Sequence, residues 1–443
     1  MNQHREPLAR SFPVWPLAAL FGAVLMAAGP AWAAPEASGD ELRLAIVLTR
    51  HGVRAPLLSN EAMASFASQP WPAWEVKPGI QTPHGNQLIA LMGDYYRARF
   101  QSEGALSGDP SVDGPRIFVR ADNDQRTVET GRILAKAMVQ VGEPDVHALP
   151  DGTVDPLFRP VKAHVGNPDA ALAAASVLGR MGGDPANLER AYASQLAEIK
   201  GILYGPAGPG PDSAFSARSI VAPGRKSFLV EFSGPFLAAL ECTDAFILEY
   251  ADGKPLPEVG WGKVDGKVMT DLLSLHEFFF NMVERTRYLA QVGASNLASH
   301  ILDTMEQSAT GEIVPGAIGP PGERIVVLVG HDTNIANLGG LFDMDWCVDG
   351  TQLDPQLPGG ALVLELWKRG GQEGAFYVRT SYVVQTLDQM REATPLSLGN
   401  PPARAPIFVP GCSGAGPDYD APFASFVRQA RRVIDPAFIT PEP

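Results

Sequence analysis

Three stretches of the chain have the pattern of β-strands that are buried on both faces, because almost every residue in them is apolar or β-branched. They are LRLAIVLT (42–49), RIFVRA (116–121) and RIVVLV (324–329). Such runs are typical of the inner strands of a parallel sheet. Polar residues and then helical spacing follow each run, so we predict an α/β fold with a doubly wound, mostly parallel sheet.

The polar residues after these strands are expected to lie at one edge of the sheet. In doubly wound sheets, ligands bind beyond the carboxyl ends of the strands, where the strand order reverses. The three turns are RHGVRAP (50–56), DNDQR (122–126) and HDTN (331–334). We therefore predict one functional site that is built from all three.

The segment 156–285 has few strand signals and several stretches at helical spacing, such as the alanine-rich 169–179. We predict that this segment is a smaller, mostly helical domain. It is inserted into an α/β catalytic domain that consists of residues 36–155 and 286–443.

The first 33 residues have the features of a secretory signal peptide. Arg5 and Arg10 precede an apolar run at 14–28, and small residues flank Trp32 in AWA (31–33). A membrane anchor, which is the alternative, needs about 20 apolar residues, and this run is shorter. No later stretch of the sequence is long and apolar enough to span a bilayer. We therefore expect a periplasmic or secreted protein without membrane contact once residues 1–33 are removed.

Composition narrows the choice of ligands. The 443 residues are 45% hydrophobic, and 35 Lys and Arg against 49 Asp and Glu give a net charge of −14. This charge argues against nucleic acid or anionic lipid as a partner, so an anionic ligand needs a local positive cluster. The sequence contains no metal-binding or nucleotide-binding motif, and we expect neither metal nor cofactor. Cys242, Cys347 and Cys412 allow at most one disulfide, whose pairing stays open.

His51 lies between Arg50 and Arg54, directly after the first strand. Such a group of guanidinium ions is costly unless an anion balances it, and the planar donors of arginine suit phosphoryl oxygens. Nearby cations also lower the pKa of an imidazole, which keeps His51 neutral and nucleophilic. The turn is therefore predicted to bind and attack a phosphate ester. The alternative is a surface turn whose arginines pair with acids.

The turn after the last of the three strands supplies two further candidates. His331 is placed to donate to the same phosphoryl group, and Asp332 to protonate the leaving oxygen, which requires acidic conditions. Asp332 is equally compatible with a helix cap. Arg126 follows the second strand and directs its charge to the same edge, although alone it would be typical of a surface residue. His84 and His276 are interpreted as a turn residue and a packed helix residue.

Taken together, RHGVRAP (50–56) and GHDTN (330–334) resemble the histidine acid phosphatases, above all the bacterial periplasmic phytase and acid phosphatase group and the glucose-1-phosphatases. The similarity extends over almost the whole chain after residue 33. Further segments that resemble this group are WPAWEVKPGIQTPHGNQLIALMGDYY (71–96), DNDQRTVETG (122–131), PEVGWGKV (257–264), LLSLHEFFF (272–280), NLGGLFDMDW (337–346), PGGALVLELWKR (358–369) and QTLDQMREATPLSLGNPP (385–402).

The resemblance implies a mechanism and a position for the substrate. His51 would become a phosphohistidine, Asp332 would donate a proton to the leaving alcohol, and water would hydrolyse the phosphoenzyme without a metal. The residues implied to hold the phosphoryl oxygens are Arg50, Arg54, Arg126 and His331. The implied fold is an α/β domain beside a helical domain, with the substrate in the cleft between them.

The chain also departs from the phytase group. Leu57 and Leu58 stand where phytases usually have a Thr-Lys pair that helps to bind the outer phosphates of inositol hexakisphosphate, whereas glucose-1-phosphatases also have leucine after RAP. Asp244, in CTDAF, falls where phytases tend to have Glu, and we expect it to bind substrate as part of the specificity wall. The disulfides of the best-known relatives are largely missing.

We therefore predict a secreted acid phosphomonoesterase that forms a phosphohistidine, acts on inositol phosphates as phytases do, and has broad acid phosphatase activity. Leu57 and Leu58 favour the alternative of a sugar-phosphate-specific phosphatase resembling glucose-1-phosphatase. A non-catalytic protein that binds phosphate esters is a further alternative, which the intact His51 and Asp332 oppose. We expect a monomer whose ligands are small-molecule phosphate esters.

Overall fold

The computed structural model describes residues 39–140, 142, 144–225, 228–371 and 375–443. The predicted signal peptide, residues 1–33, lies outside the described residues. Within the described ranges, no helix is both long enough and apolar enough to cross a membrane.

Strands and helices alternate along most of the described chain. The strands are β1 (Glu41–Arg50), β2 (Ile117–Ala121), β3 (Ile220–Pro223), β4 (Val230–Ser233), β5 (Ile325–Gly330), β6 (Ala361–Lys368), β7 (Phe376–Val384), β8 (Ala403–Pro406) and β9 (Ala421–Pro422). The α-helices are α1 (Asn60–Met63), α2 (Pro83–Ser102), α3 (Pro110–Asp113), α4 (Gln125–Val139), α5 (Ala170–Arg180), α6 (Pro185–Ala191), α7 (Ala193–Tyr204), α8 (Pro235–Ala251), α9 (Gly266–Phe279), α10 (Arg287–Thr310), α11 (Asp332–Phe342), α12 (Leu387–Arg391) and α13 (Phe423–Val433). A π-helical turn, Phe280–Glu284, follows α9.

The three predicted strands are adjacent and parallel in the main sheet. The strand order is β2-β5-β1-β6-β7-β8, with β9 paired to β7. Ile325 of β5 lies opposite both Ala45 of β1 and Ile117 of β2, so the three strands end at the same edge. The α/β fold predicted from the sequence is confirmed, and its parallel part carries all three polar turns.

The rest of the main sheet is antiparallel. β6 pairs antiparallel with β1 and with β7, and β7 pairs antiparallel with β8 and β9. The connection from β6 to β7 spans only residues 369–375, which is too short for the crossover that a parallel pair requires. The expected parallel arrangement therefore holds for β1, β2 and β5, the strands that position the site.

Helices cover both faces of the sheet, as a doubly wound fold requires. Leu44, Ile46 and Leu48 of β1 join the apolar core on one face, whereas Ala45 and Val47 join the core on the other. The first core includes residues of α10, α11 and α13, and the second includes residues of α2 and α4. Because both faces are covered, residues 44–48 of β1 are apolar at every position rather than at alternate positions.

The segment 156–285 contains the five helices α5 to α9 and a two-stranded hairpin formed by β3 and β4. The four-residue strands of this hairpin are too short to give a clear alternation in the sequence. Phe246 of α8 and Leu272 of α9 belong to the same apolar core as Leu44 of β1. The helices therefore pack onto the sheet, and the division into two domains remains a prediction.

The three cysteines are all free thiols. Cys242 is buried in α8, Cys347 is exposed and Cys412 is half-buried.

Candidate active site

Backbone hydrogen bonds fix His51 at the end of β1. Its amide donates to the carbonyl of Gly330 at the end of β5 (3.1 Å), and its own carbonyl accepts from the amide of Gly359 (3.0 Å). Gly52 is needed next because a Cβ there would lie 2.8 Å from Cγ1 of Ile89. The turn therefore holds the His51 side chain, which is 2% exposed, at the sheet edge.

The hydrogen bonding of His51 leaves one ring nitrogen available for chemistry. Nδ1 lies 2.9 Å from the carbonyl oxygen of Gly52, and because a carbonyl only accepts, Nδ1 carries the proton. Burial holds the pKa of His51 well below its ordinary value, and the charges of Arg126, Arg54 and Arg50 lower it further. The imidazole is therefore neutral, with its lone pair at Nε2. Sequence reasoning gave the cations as the cause, whereas burial is the larger one.

Arg50 and Arg54 are buried, so the alternative of an exposed surface turn is wrong. Nη2 of Arg50 lies 3.1 Å from Oδ1 of Asp244 and 3.2 Å from Oδ2 of Asp332. Nη2 of Arg54 lies 3.2 Å from the other carboxylate oxygen of Asp244. One carboxylate on α8 thus bridges both guanidinium groups.

Asp244 is ionised in this arrangement. Burial alone would raise its pKa, but the charges of Arg54, Arg50 and His276 hold that pKa well below the usual range. Its side chain is 17% exposed, and it is absent from the described residues that line the cleft described below. In the described residues Asp244 contacts Arg50 and Arg54, and its binding of substrate stays a prediction.

β1 and β5 pair in parallel up to Arg50 and Gly330, so His331 and Asp332 follow the strand next to that of His51. The ring centroids of His51 and His331 are 5.6 Å apart, at an angle of 69°. Asp332 is the first residue of α11, and its Oδ1 accepts from the amide of Thr333 (2.8 Å) while Oδ2 faces Arg50. Asp332 therefore accepts a backbone hydrogen bond at the start of α11 and also lies in the site.

Asp332 is ionised before substrate binds, whereas a general acid must carry a proton. Burial would raise its pKa, but the charges of Arg50 and His331 lower the pKa below the ordinary value. The carboxyl is therefore ionised until further negative charge comes close to it.

Arg126 reaches the same place from the first turn of α4. Its Nη2 lies 2.6 Å from Oδ2 of Asp124, and its side chain is 13% exposed. The structure thus brings together Arg50, Arg54, Arg126, His51, His331 and Asp332, which were predicted from three separate segments.

Sequence reasoning missed a second charged group beside His331. Nε2 of His331 lies 2.7 Å from Oδ2 of Asp122 and 3.0 Å from Nη2 of Arg159. Arg159 also pairs with both Asp122 and Asp124. Burial would raise the pKa of Asp122, but His331 and Arg159 lower it to about 2. The DND motif after β2 was a usable signal for the acids, whereas Arg159 has no local signal.

Asp122, Asp124 and His331 could offer ligand atoms to a metal, since these atoms lie within 4.8 Å of one another. The guanidinium group of Arg159 already contacts both carboxylates and His331. A divalent cation would have to displace this positive charge.

His276 was expected to be only a packed helix residue, but it contacts the site. Its Nδ1 lies 3.1 Å from Oε1 of Glu277, and its Nε2 lies 3.8 Å from Oδ1 of Asp244. Burial would lower the pKa of His276, but these two acids raise it to about 9. His84, in contrast, lies 2.7 Å from the carbonyl of Met390 and away from the site.

A cleft of about 550 Å³ opens beside His51. Its charged residues include Arg54, Arg126, Arg159 and Asp332. A neutral nucleophilic nitrogen, several guanidinium donors and a carboxyl group therefore face a volume large enough for a small organic phosphate.

This fold and this arrangement of residues define a class of phosphate-transferring enzyme. The family model of the histidine phosphatase superfamily (branch 2) matches residues 41–201 and 233–383. The chain belongs to this family and is a phosphoric monoester hydrolase.

Individual relatives agree with this family. The chain is 33% identical to the phytase AppA of Escherichia coli (strain K12) over 409 residues, which cover 89% of this chain and 93% of the relative. It is 25% identical to the glucose-1-phosphatase of Providencia rettgeri over 385 residues, covering 83% of this chain and 86% of the relative.

Solved structures show the same similarity. A Hafnia alvei phytase in complex with tartrate has a TM-score of 0.83 and 33% identity, and the alignment covers 91% of this chain and 100% of that one. The Hafnia alvei phytase in complex with myo-inositol hexakis sulphate has a TM-score of 0.80 and 32% identity, with the same coverage.

Proposed function

We propose that the chain hydrolyses phosphate monoesters in two displacements through a phosphohistidine at His51. Nε2 of His51 attacks phosphorus, the ester P–O bond breaks, and the leaving oxygen takes a proton from Asp332. Water then attacks the phosphohistidine, Asp332 takes up the proton, and the P–N bond breaks to release inorganic phosphate. The observation that carries this proposal is the buried, neutral His51 with Nε2 unprotonated among three arginines.

The arginines hold the phosphoryl oxygens in this proposal. Arg50, Arg54 and Arg126 provide bidentate donors for a tetrahedral dianion, and they stabilise the charge that builds up in the transition state. His331 contacts the same group, supported by Asp122.

Asp332 gains its proton when the substrate binds. A phosphoryl dianion bound beside Arg50 and Asp332 adds negative charge and competes for the guanidinium group, and both effects raise the carboxyl pKa. The acid form is then most populated at acidic pH. We therefore propose an acidic optimum that is limited on the alkaline side by loss of this proton.

We propose inositol phosphates as substrates, together with broad acid phosphatase activity. The support is the similarity to relatives named phytases, one of which was solved with myo-inositol hexakis sulphate. A sugar-phosphate preference is the second candidate, because Leu57, which is 56% exposed, lines the cleft beside the catalytic turn.

We also propose that residues 1–33 direct export, that the enzyme acts in the periplasm or outside the cell as a monomer, and that 156–285 forms the smaller domain. Export is supported by the charged and apolar pattern of the first 33 residues.

The test is rapid quenching of the purified enzyme with p-nitrophenyl phosphate at about pH 5. Mass spectrometry under alkaline conditions is expected to find one added phosphoryl group on His51. His51→Ala should lose both turnover and the adduct, while His147→Asn, a half-exposed histidine outside the cleft, should keep both. Turnover by His51→Ala would refute the proposed nucleophile. A side-by-side assay of phytate, glucose 1-phosphate and the aryl ester then ranks the substrates.

A further inference from the structure

The cleft beside His51 has two chemically different faces. The face at the sheet edge carries His51 and the arginines. A second, apolar part of the lining comes from the β3–β4 hairpin and from the segment 279–289, and we call it the apolar face. The residues of the apolar face used below are Phe228, Phe232, Phe279, Val283 and Leu289.

The apolar face is exposed mainly at Phe228, which is 73% exposed, whereas Val283 and Leu289 are buried. Leu57, which also lines the cleft, is 56% exposed. Phe232 and Phe279 form an aromatic pair with ring centroids 5.8 Å apart. Exposed apolar side chains that gather around one concave opening are typical of a ligand-binding surface.

Beyond the groups at the sheet edge, most residues that line the cleft are apolar. Glu284 also lines the cleft, directly after Val283, and its Oε2 accepts from Nδ2 of Asn337 (3.0 Å). Burial raises the pKa of Glu284, so this carboxyl adds no fixed negative charge, and the cations that line the cleft include Lys162. The cleft volume of about 550 Å³ also exceeds what one phosphate group fills.

We infer that the apolar face is a leaving-group subsite that takes the uncharged alkyl or aryl part of a phosphate monoester. This inference rests on the proposed phosphatase function and extends its substrates beyond inositol and sugar phosphates. With the phosphoryl group at His51, the ester oxygen faces Asp332, and the organic group continues across the cleft onto Phe232 and Phe279.

The first measurement uses n-alkyl phosphates from methyl to hexyl, since these leaving alcohols differ little in basicity beyond the shortest. Each added methylene that leaves water is expected to raise kcat/KM roughly threefold until the face is filled. A flat series with measurable turnover would overturn the inference and leave the phosphatase proposal intact. Absence of turnover on every ester would refute the phosphatase proposal instead.

The second measurement does not depend on turnover. Calorimetry with n-alkylphosphonates, which cannot be hydrolysed, should show the same tightening with chain length. Equal affinity for methylphosphonate and hexylphosphonate would overturn the subsite even if the enzyme proved inactive.

Two variants test whether the dependence of kcat/KM on alkyl chain length arises at the mouth of the cleft. Because Leu57 and Phe228 are exposed, the double variant Leu57→Ser/Phe228→Ser should fold, and we expect it to reduce the hexyl-to-methyl ratio of kcat/KM by about tenfold. Phe408→Ser removes another exposed phenylalanine, one that is 46% exposed and does not line the cleft, and it should keep the wild-type ratio. An unchanged ratio in the double variant would refute the assignment of this face.

Discussion

Replacing Asp244 by Asn tests how the positive charges at the site are held together. The carboxylate binds Arg50 and Arg54 at 3.1 and 3.2 Å, and both arginine side chains are buried. Removing one partner of a buried ion pair costs about 3–5 kcal/mol. Arg50 keeps its contacts to Asp332 and to the carbonyl of Gln356, so we expect a loss near the lower limit, about 3 kcal/mol.

Inorganic phosphate should recover part of this loss, because it supplies the negative charge that the variant lacks. In urea unfolding at about pH 6, saturating phosphate is expected to stabilise Asp244→Asn by ~1 kcal/mol more than it stabilises the wild type. The pKa of Asp244 is depressed in the folded state, so its contribution is fully present above about pH 4 and is lost as the pH falls through the folded pKa. The difference between the two proteins should therefore persist at pH 6 and shrink in strong acid.

Asp271→Asn is the matched control, since Asp271 is an exposed acid on α9 that pairs with Lys267. Its stability should stay within about 0.5 kcal/mol of the wild type, with no additional response to phosphate. The reasoning would be refuted if Asp244→Asn were as stable as this control, or if phosphate stabilised variant and wild type equally.

Four further outcomes follow from the site. Asp332→Asn should lower kcat for alkyl phosphates roughly 100-fold more than kcat for p-nitrophenyl phosphate, because only the poor leaving group needs a proton. An equal loss of kcat on both substrates would argue against Asp332 as the acid. The pH–rate profile for an alkyl phosphate should have an acidic maximum, and a rate that rises steadily from about pH 5 to 8 would contradict it. The pKa of His276 is raised to about 9, so its protonated form stabilises the fold below about pH 6.5, and this stabilisation is lost as the pH rises through 9. In His276→Gln the free energy of unfolding, measured in urea at several pH values, should therefore decline less between about pH 6.5 and 9 than in the wild type. An equal decline in both proteins would contradict this. Activity is expected to survive dialysis against EDTA, since Arg159 supplies the positive charge beside Asp122 and Asp124; activity that returned only with added zinc would refute that role.

The sequence was sufficient to predict the parallel strands and the residues at their ends. Strands buried on both faces give continuous apolar runs, and the carboxyl ends of neighbouring parallel strands meet, so Arg50, His51 and His331 could be placed together before any coordinates were known. The same logic does not extend to Arg159. Its role depends on a long-range approach to Asp122 that no periodicity encodes.

Other contacts of the site could not be predicted, because they join residues that are far apart in the sequence. His276 sits among apolar residues at helical spacing, and only the packing of α9 against α8 brings it to Asp244. The strand-turn-helix pattern predicts only parallel neighbours, whereas β6 to β9 pair antiparallel because the chain reverses direction over short connections. The contacts of Asp244 with Arg50 and Arg54 likewise depend on the approach of α8 to the turn after β1, which the local sequence does not show.

The chemistry and the apolar face of the cleft are encoded in different parts of the chain. The reacting groups lie at the ends of β1, β2 and β5, whose hydrogen bonds form one continuous ladder. Much of the apolar face comes from the β3–β4 hairpin, whose strands form a separate two-stranded sheet. Descendants of this enzyme could therefore exchange one short hairpin and acquire a new substrate range while the inherited catalyst stays intact.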